Sequence, residues 1–179
     1  MANTDVTSKK VSSIASNNEV GRGYTRQVSI TWEDMKSDTP DTGTGSADND
    51  TLTYELFDLP VGCILRGVHY HLRTAFDDSG GGSQLQLEIG DTSDPNGILT
   101  AKEVHVDSSE VVAAAGIDGA FFTVGSDVGT LNGKAYTTAN TVEALFTPGA
   151  GGSAYSLNEL TQGEIVFVAD IIYTNLAQS

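Results

Sequence analysis

His69 and His71 stand two residues apart in GVHYHLR, a spacing that on an extended strand projects both imidazoles to the same side. Two such nitrogens can begin a zinc or copper site, which needs a third or fourth ligand. The one remaining histidine, His105, lies in a stretch whose strand pairing the sequence does not reveal. Polar histidines near Arg73 on an outer sheet face, or at a subunit contact where their titration makes assembly pH-sensitive, are the preferred reading. The second candidate is IGDTSDPNGIL, residues 89–99. A helix-loop-helix calcium loop needs oxygen ligands at alternating positions, and counting from Asp91 through Ser93 puts Pro95 in the third slot, where there is no side-chain oxygen. A looser oxygen site would use Asp91, Asp94 and Asn96. Asp94-Pro95-Asn96-Gly97 also has the residues of a type I turn, and the turn is the expected outcome.

Other chemistry is thinly represented. Cys63, the only cysteine, follows Gly62 at a strand start and is expected to be a packed thiol. Glycosidase chemistry needs two carboxyls at a fixed separation, one with a raised pKa, whereas Asp77 and Asp78 fall where a solvated loop explains them. The chain contains no G-x-S-x-G elbow, no H-E-x-x-H and no phosphate-binding G-x-x-x-x-G-K-[ST]. The expectation is a protein without catalytic residues, cofactor or metal.

The elements that must carry these residues are mostly strands. Val28, Ile30 and Trp32 alternate with polar residues, as do Leu52, Tyr54 and Leu56. In residues 62–76, Ile64, Val68, Tyr70, Leu72 and Phe76 are assigned to one face, with Gly67, His69, His71 and Arg73 opposite. Further strands are expected at Leu85–Ile89, Glu103–Val106, Ala120–Val124, Tyr136–Thr147 and in GEIVFVADIIYTNL. The last run is apolar on both faces, as befits a central strand or one covered by a second chain. One short helix is expected after Asp107, with Glu110 completing a capping box and Gly116 ending it. Residues 36–50 read as a long polar loop. About eight antiparallel strands with glycine-rich connections predict an all-β sandwich, jelly-roll-like, as one domain over 25–179 behind an extended N-terminal arm over 1–24.

The chain has 179 residues, 39% hydrophobic and 18% charged, and a formal net charge of -15. That acidity excludes a phosphate-binding surface, and no apolar run nears the roughly 20 residues that span a bilayer, so neither nucleic acid nor membrane is expected as a partner. The polar start, MANTDVTSKK, lacks an apolar signal segment, which predicts assembly in a cytoplasm. Lys9, Lys10, Arg22 and Arg26 make the first 26 residues weakly basic, an arm suited to an acidic neighbour such as another copy of the chain. A sugar-binding jelly roll is the rival reading. Its stacking platforms would have to come from Trp32, Tyr24, Tyr136, Tyr155 or Tyr173 in a chain with 7% aromatics.

LFDLPVGCILRGVHYHLRTAF followed by QLQLEIGDTSDPNGIL resembles virion structural proteins of tailed bacteriophages. The shared features are Leu59, Pro60 and Gly62 at a strand opening, then Gly90, Asp91, Asp94 and Gly97 at the end of a hairpin, over 52–99. The resemblance implies a non-enzymatic capsid decoration or cement protein of the virion, a trimer binding the major capsid protein and itself. Lys9, Lys10, Arg22 and Arg26 would then form the anchoring arm. A neck, tail or fibre subunit is the alternative within the same class.

Overall fold

The computed structural model describes residues 2–5, 12–13, 23–38, 51–81, 84–107, 121–123, 133–149 and 156–173, the shortest of these segments and 23–24 by their backbone pairing alone. The strands are β1 (Ala2–Asp5), β2 (Ser12–Ser13), β3 (Gly23–Thr31), β4 (Leu52–Leu59), β5 (Cys63–Asp78), β6 (Leu85–Asp91), β7 (Asp94–Glu103), β8 (Phe121–Thr123), β9 (Lys134–Ala135), β10 (Asn140–Pro148) and β11 (Leu160–Tyr173). One sheet has the order β1-β4-β10-β6-β7, the other β2-β3-β11-β5-β8, with β9 also on β5.

The pairings nest. β3 joins β11, β4 joins β10, β5 joins β8 and β9, and β6 joins β7, all antiparallel. A long hairpin folded at β6–β7 and rolled up so that its layers alternate between two sheets produces this order. It is the jelly roll expected above. The short β1 and β2 add a parallel edge to β4 and an antiparallel edge to β3, so both described pieces of the N-terminal segment lie on the body.

Alternation supplies the core. Val28 and Ile30, Leu52, Tyr54 and Leu56, Leu85, Leu87 and Ile89, Val142, Ala144 and Phe146, and Ile165, Phe167, Ala169 and Ile171 are all buried between the sheets. β11 is central in its sheet, which accounts for its apolar run. Outward-facing Val166 is buried too, and Val168 and Ile172 are half-buried.

Several expectations shift by a residue or an element. Ile64 was assigned to the core face, yet Leu65 is the buried residue, because a bulge opposite Asp170/Ile171 changes the phase between Leu65 and Gly67. Trp32 does not continue β3. It opens a helix, α1 (Trp32–Asp38), which takes in the end of the expected strand and the first three residues of the expected polar loop. Thr31 and Asp34 form its capping box: the Thr31 amide and hydroxyl donate to Asp34 Oδ2 at 2.9 and 2.7 Å, and the Asp34 amide donates back to Thr31 Oγ1 at 3.3 Å. Met35 carries the helix onto the core, and Lys36 lies 5.6 Å over the Trp32 ring. The helix expected beyond Asp107 falls outside the described residues. The strand expected at 103–106 is the end of β7 plus a single bridge from His105 to Phe76.

Gly163 sits at a bulge in β11 with φ 137°, and a Cβ there would lie 2.1 Å from the Phe76 ring. Left-handed strain and overpacking both oppose a side chain at this position. Gly163→Ala is expected to lower unfolding free energy by about 3 kcal/mol, against about 1 kcal/mol for Gly81→Ala, where only the backbone is strained. Urea denaturation of the two variants checks the ranking.

Candidate functional site

The residues of the opening motif are gathered, but around one carboxylate. β6 ends in Asp91 and β7 begins at Asp94, paired directly with it, so the reversal occupies Thr92-Ser93. The expected Asp94–Gly97 turn is instead an extra loop inside β7: Ile89 pairs Leu99 while Asp91 pairs Asp94, leaving Gly90 to face four residues. Gly90 is required there, since a Cβ would fall 2.0 Å from the Asp94 carbonyl oxygen.

Asp91 is 2% exposed. Its Oδ1 accepts the Ser93 amide at 2.9 Å, the Ser93 hydroxyl at 2.5 Å and the Asp94 amide at 3.1 Å, an Asx-type turn. Its Oδ2 accepts the Tyr136 hydroxyl at 2.7 Å and the Lys134 ammonium. Burial raises the carboxyl's pKa, but bonds from Lys134, Ser93 and Tyr136 outweigh it and hold the pKa well below the usual range. Tyr136 is pushed up by burial and by the carboxylate it meets. Residues 134–136 are themselves tied to β5: the Tyr136 amide donates to the Cys63 carbonyl at 2.9 Å and Gly62 donates to the Tyr136 carbonyl at 2.8 Å. Asp91 therefore fastens one sheet to the other. Nothing is left of it for a cation, Asp94 is exposed, and Asn96 turns to Glu88 at 3.4 Å, so the proposed oxygen set does not converge.

A second cluster went unread in the sequence. Asp77, Asp78 and His105 bring one ligand atom each within 4.8 Å of one another, with the Asp78 and His105 side chains fully buried. His105 Nε2 lies 3.2 Å from Asp78 Oδ2, and the Asp107 amide donates to Nδ1 at 3.2 Å. Nδ1 accepts, so the neutral ring carries its proton on Nε2, aimed at the carboxylate. A metal-binding imidazole has the reverse arrangement, a lone pair toward the ion and a donor behind it. The Asp78 Oδ1 accepts Gly80 N–H at 2.6 Å, and Ser79 N–H reaches the Glu159 carbonyl at 3.1 Å. The cluster secures the end of β5 to the 3₁₀ turn Leu157–Glu159.

His69 and His71 lie on the outer face of the β3–β11–β5 sheet, opposite Val168 and Val166. Asp78 is seven residues beyond His71, about 20 Å along an extended strand, so His105 does not join them. Arg73 on the same face binds Glu164 at 2.8 Å, and Arg66 meets Asp170 at 3.5 Å. Cys63 is buried and its thiol pushed up by burial, the state of a packed thiol. Arg26 stands in β3, on the side of Val28 and Ile30, hydrogen-bonded to Tyr173. Lys9, Lys10 and Arg22 fall outside the described residues.

Concavities occur on the described surface. A groove of about 540 Å³ of mixed lining runs along Asp58, Leu59, Pro60, Thr92, Ser93 and Asn140, with Asn140 Oδ1 accepting Thr92 N–H at 3.0 Å. An apolar one of about 290 Å³ lies between Val61, Ile64 and Ala135. Of the aromatics whose burial is described, none is exposed: Trp32 and Tyr173 are half-buried and the rest buried. No described helix is long and apolar enough to cross a membrane.

No protein-family model matches the sequence, and no curated protein does. Among solved structures, a chain of the cyanophage Pam1 capsid asymmetric unit is similar at TM-score 0.53 and 17% identity, over 89% of this chain and 90% of that one. A chain of the acid-stable capsid of Helicobacter pylori bacteriophage KHP30 aligns at TM-score 0.47 and 12% identity, over 86% of this chain and 90% of that one. The fold is thus that of a jelly roll found in a phage capsid structure.

Asp91→Ala strands the buried Tyr136 hydroxyl and two amides and is expected to cost about 3 kcal/mol, whereas Lys134→Met, removing an ammonium that is 43% exposed, costs less than about 1 kcal/mol. Equal losses in denaturant titrations would mean that the ion pair, not the buried hydroxyl, holds the tie. Burial lowers the His69 pKa from its ordinary 6.5, against Asp170, which raises it. The unfolded chain therefore takes up a proton first as pH falls below 6.5, so the His69 contribution is intact above that value and lost below it. His69→Gln should flatten the acid-side fall of the melting temperature; an unchanged slope would show that His69 does not contribute.

Proposed function

We propose that this protein is a non-enzymatic structural subunit of a bacteriophage virion, a capsid decoration or cement protein that binds the major capsid protein and sister copies of its own chain. The observation that carries the reading is the alignment with the Pam1 capsid chain, which runs over nearly the full length of both chains. A shared jelly roll alone is common to many functions. An alignment that covers 89% of this chain and 90% of the other is more restrictive.

The side chains support the same reading. Asp78, Asp91 and His105 are consumed in fastening elements to one another. An acidic chain stays soluble at the high concentration that assembly requires. The weakly basic N-terminal segment supplies the complementary element, with Lys9, Lys10 and Arg22 as anchors to an acidic neighbour. Arg26, engaged with Tyr173, acts within the body.

The test is incorporation into phage particles. Reversing Lys9, Lys10 and Arg22 to Glu is expected to leave the melting temperature within a few degrees and to reduce copies per particle by about tenfold or more, read by quantitative mass spectrometry. Undiminished incorporation would remove the arm from the assignment. Absence of the wild-type chain from purified particles would remove the virion role itself.

A further inference from the structure

The two outer faces of the sandwich are charged differently. On the β4–β10–β6 side, Glu55 stands directly opposite Glu143 and Glu88 follows on β6, a like-charged surface. The β11–β5 side carries Arg66 with Asp170 and Arg73 with Glu164, a balanced set on a chain of net charge -15. Between the two ion pairs lie Val166 opposite His71 and Val168 opposite His69. Arg66 and Arg73 are 55% and 49% exposed, and their acids about a third, so both pairs remain open to a further partner.

The arrangement has a symmetry. Both arginines and both histidines are on β5, while both acids and both valines are on β11. A two-fold axis lying against this face, parallel to the strands and between β5 and β11, exchanges the two strands. Each guanidinium of one molecule then meets a carboxylate of the other, Arg73 over Glu164 and Arg66 over Asp170, and the His69 imidazole covers the half-buried Val168. Such a face is self-complementary in the sense an isologous interface requires.

We propose that the outer face of β11 and β5 is a two-fold docking surface for a second copy of this chain. Its place in assembly rests on the virion reading above, but its existence does not. Ion pairs shared across the interface set the register, and Val168 with the imidazoles supplies the dry centre. The like-charged face is left outward. Because the contact is two-fold, it gives a dimer, not the trimer that the family resemblance implies.

The experiment is light scattering after size exclusion on the full chain, over a wide concentration range at physiological salt, where long-range repulsion between acidic copies is screened. The wild type is expected at dimer mass. Arg66→Glu with Arg73→Glu is expected to weaken the dimer by about tenfold or more without changing the circular dichroism spectrum, and Glu164→Arg with Asp170→Arg to do the same. Mixing the two variants should restore a dimer, because an acidic face then meets a basic one, an outcome that general destabilisation cannot produce. A wild-type monomer or trimer, a dimer that survives both reversals, or a mixture that stays monomeric would each overturn the proposal. All of these are read without particles, so the surface can fail while the virion role, read from particle content, stands.

Discussion

Phe146 holds the two sheets in a single relation. Its ring lies edge-on to Tyr54 of β4 at 6.0 Å, to Phe76 of β5 at 6.1 Å and to Phe167 of β11 at 6.4 Å, so one residue of one sheet is packed against both central strands of the other. The geometry depends on register. A one-residue slip of β10 would turn Val142, Ala144 and Phe146 outward and leave a cavity where four rings meet. It depends on Gly163 too, because only a residue without Cβ lets the Phe76 ring close onto β11 and reach Phe146. The burial of the remaining alternating residues follows from the sheet spacing that these rings set.

What the sequence disclosed was what alternation can disclose. The strand runs around Val28, Leu52, Leu85 and Phe167 were legible because their polar and apolar residues alternate cleanly, and the wrapped sandwich followed from their number and glycine-rich connections. Bulges were not legible. At Ile64-Leu65 both residues are apolar, so only the pairing with β11 decides which one faces the core. At Asp94–Gly97 the residues carrying the turn signal form the extra loop inside β7, while the strand reversal itself falls just before them, at Thr92-Ser93. The α1 start was readable in principle from Thr31-x-x-Asp34, a capping pattern overlooked because Trp32 also fitted the strand alternation.

The side-chain clusters were less legible, for a reason of distance along the chain. Asp91 meets Tyr136, and Asp78 meets His105, across separations of 45 and 27 residues, and neither pair is marked by any local motif. What could be read was the absence of catalytic spacing around the histidines and Cys63. The placement of His69 and His71 on an outer face near Arg73 agrees with their alternation along β5.

The Asp91 tie also gives the sandwich a mechanical character. Apolar side chains between two sheets exchange neighbours with little penalty when the sheets are pushed sideways, so a purely greasy sandwich yields gradually. A carboxylate on β6 held by donors bound to β5 does not. Displacement by one residue, about 3.3 Å, carries every donor of residues 134–136 out of hydrogen-bonding reach at once. At that end the protein behaves as a riveted laminate, rigid under lateral load up to a threshold and then failing abruptly.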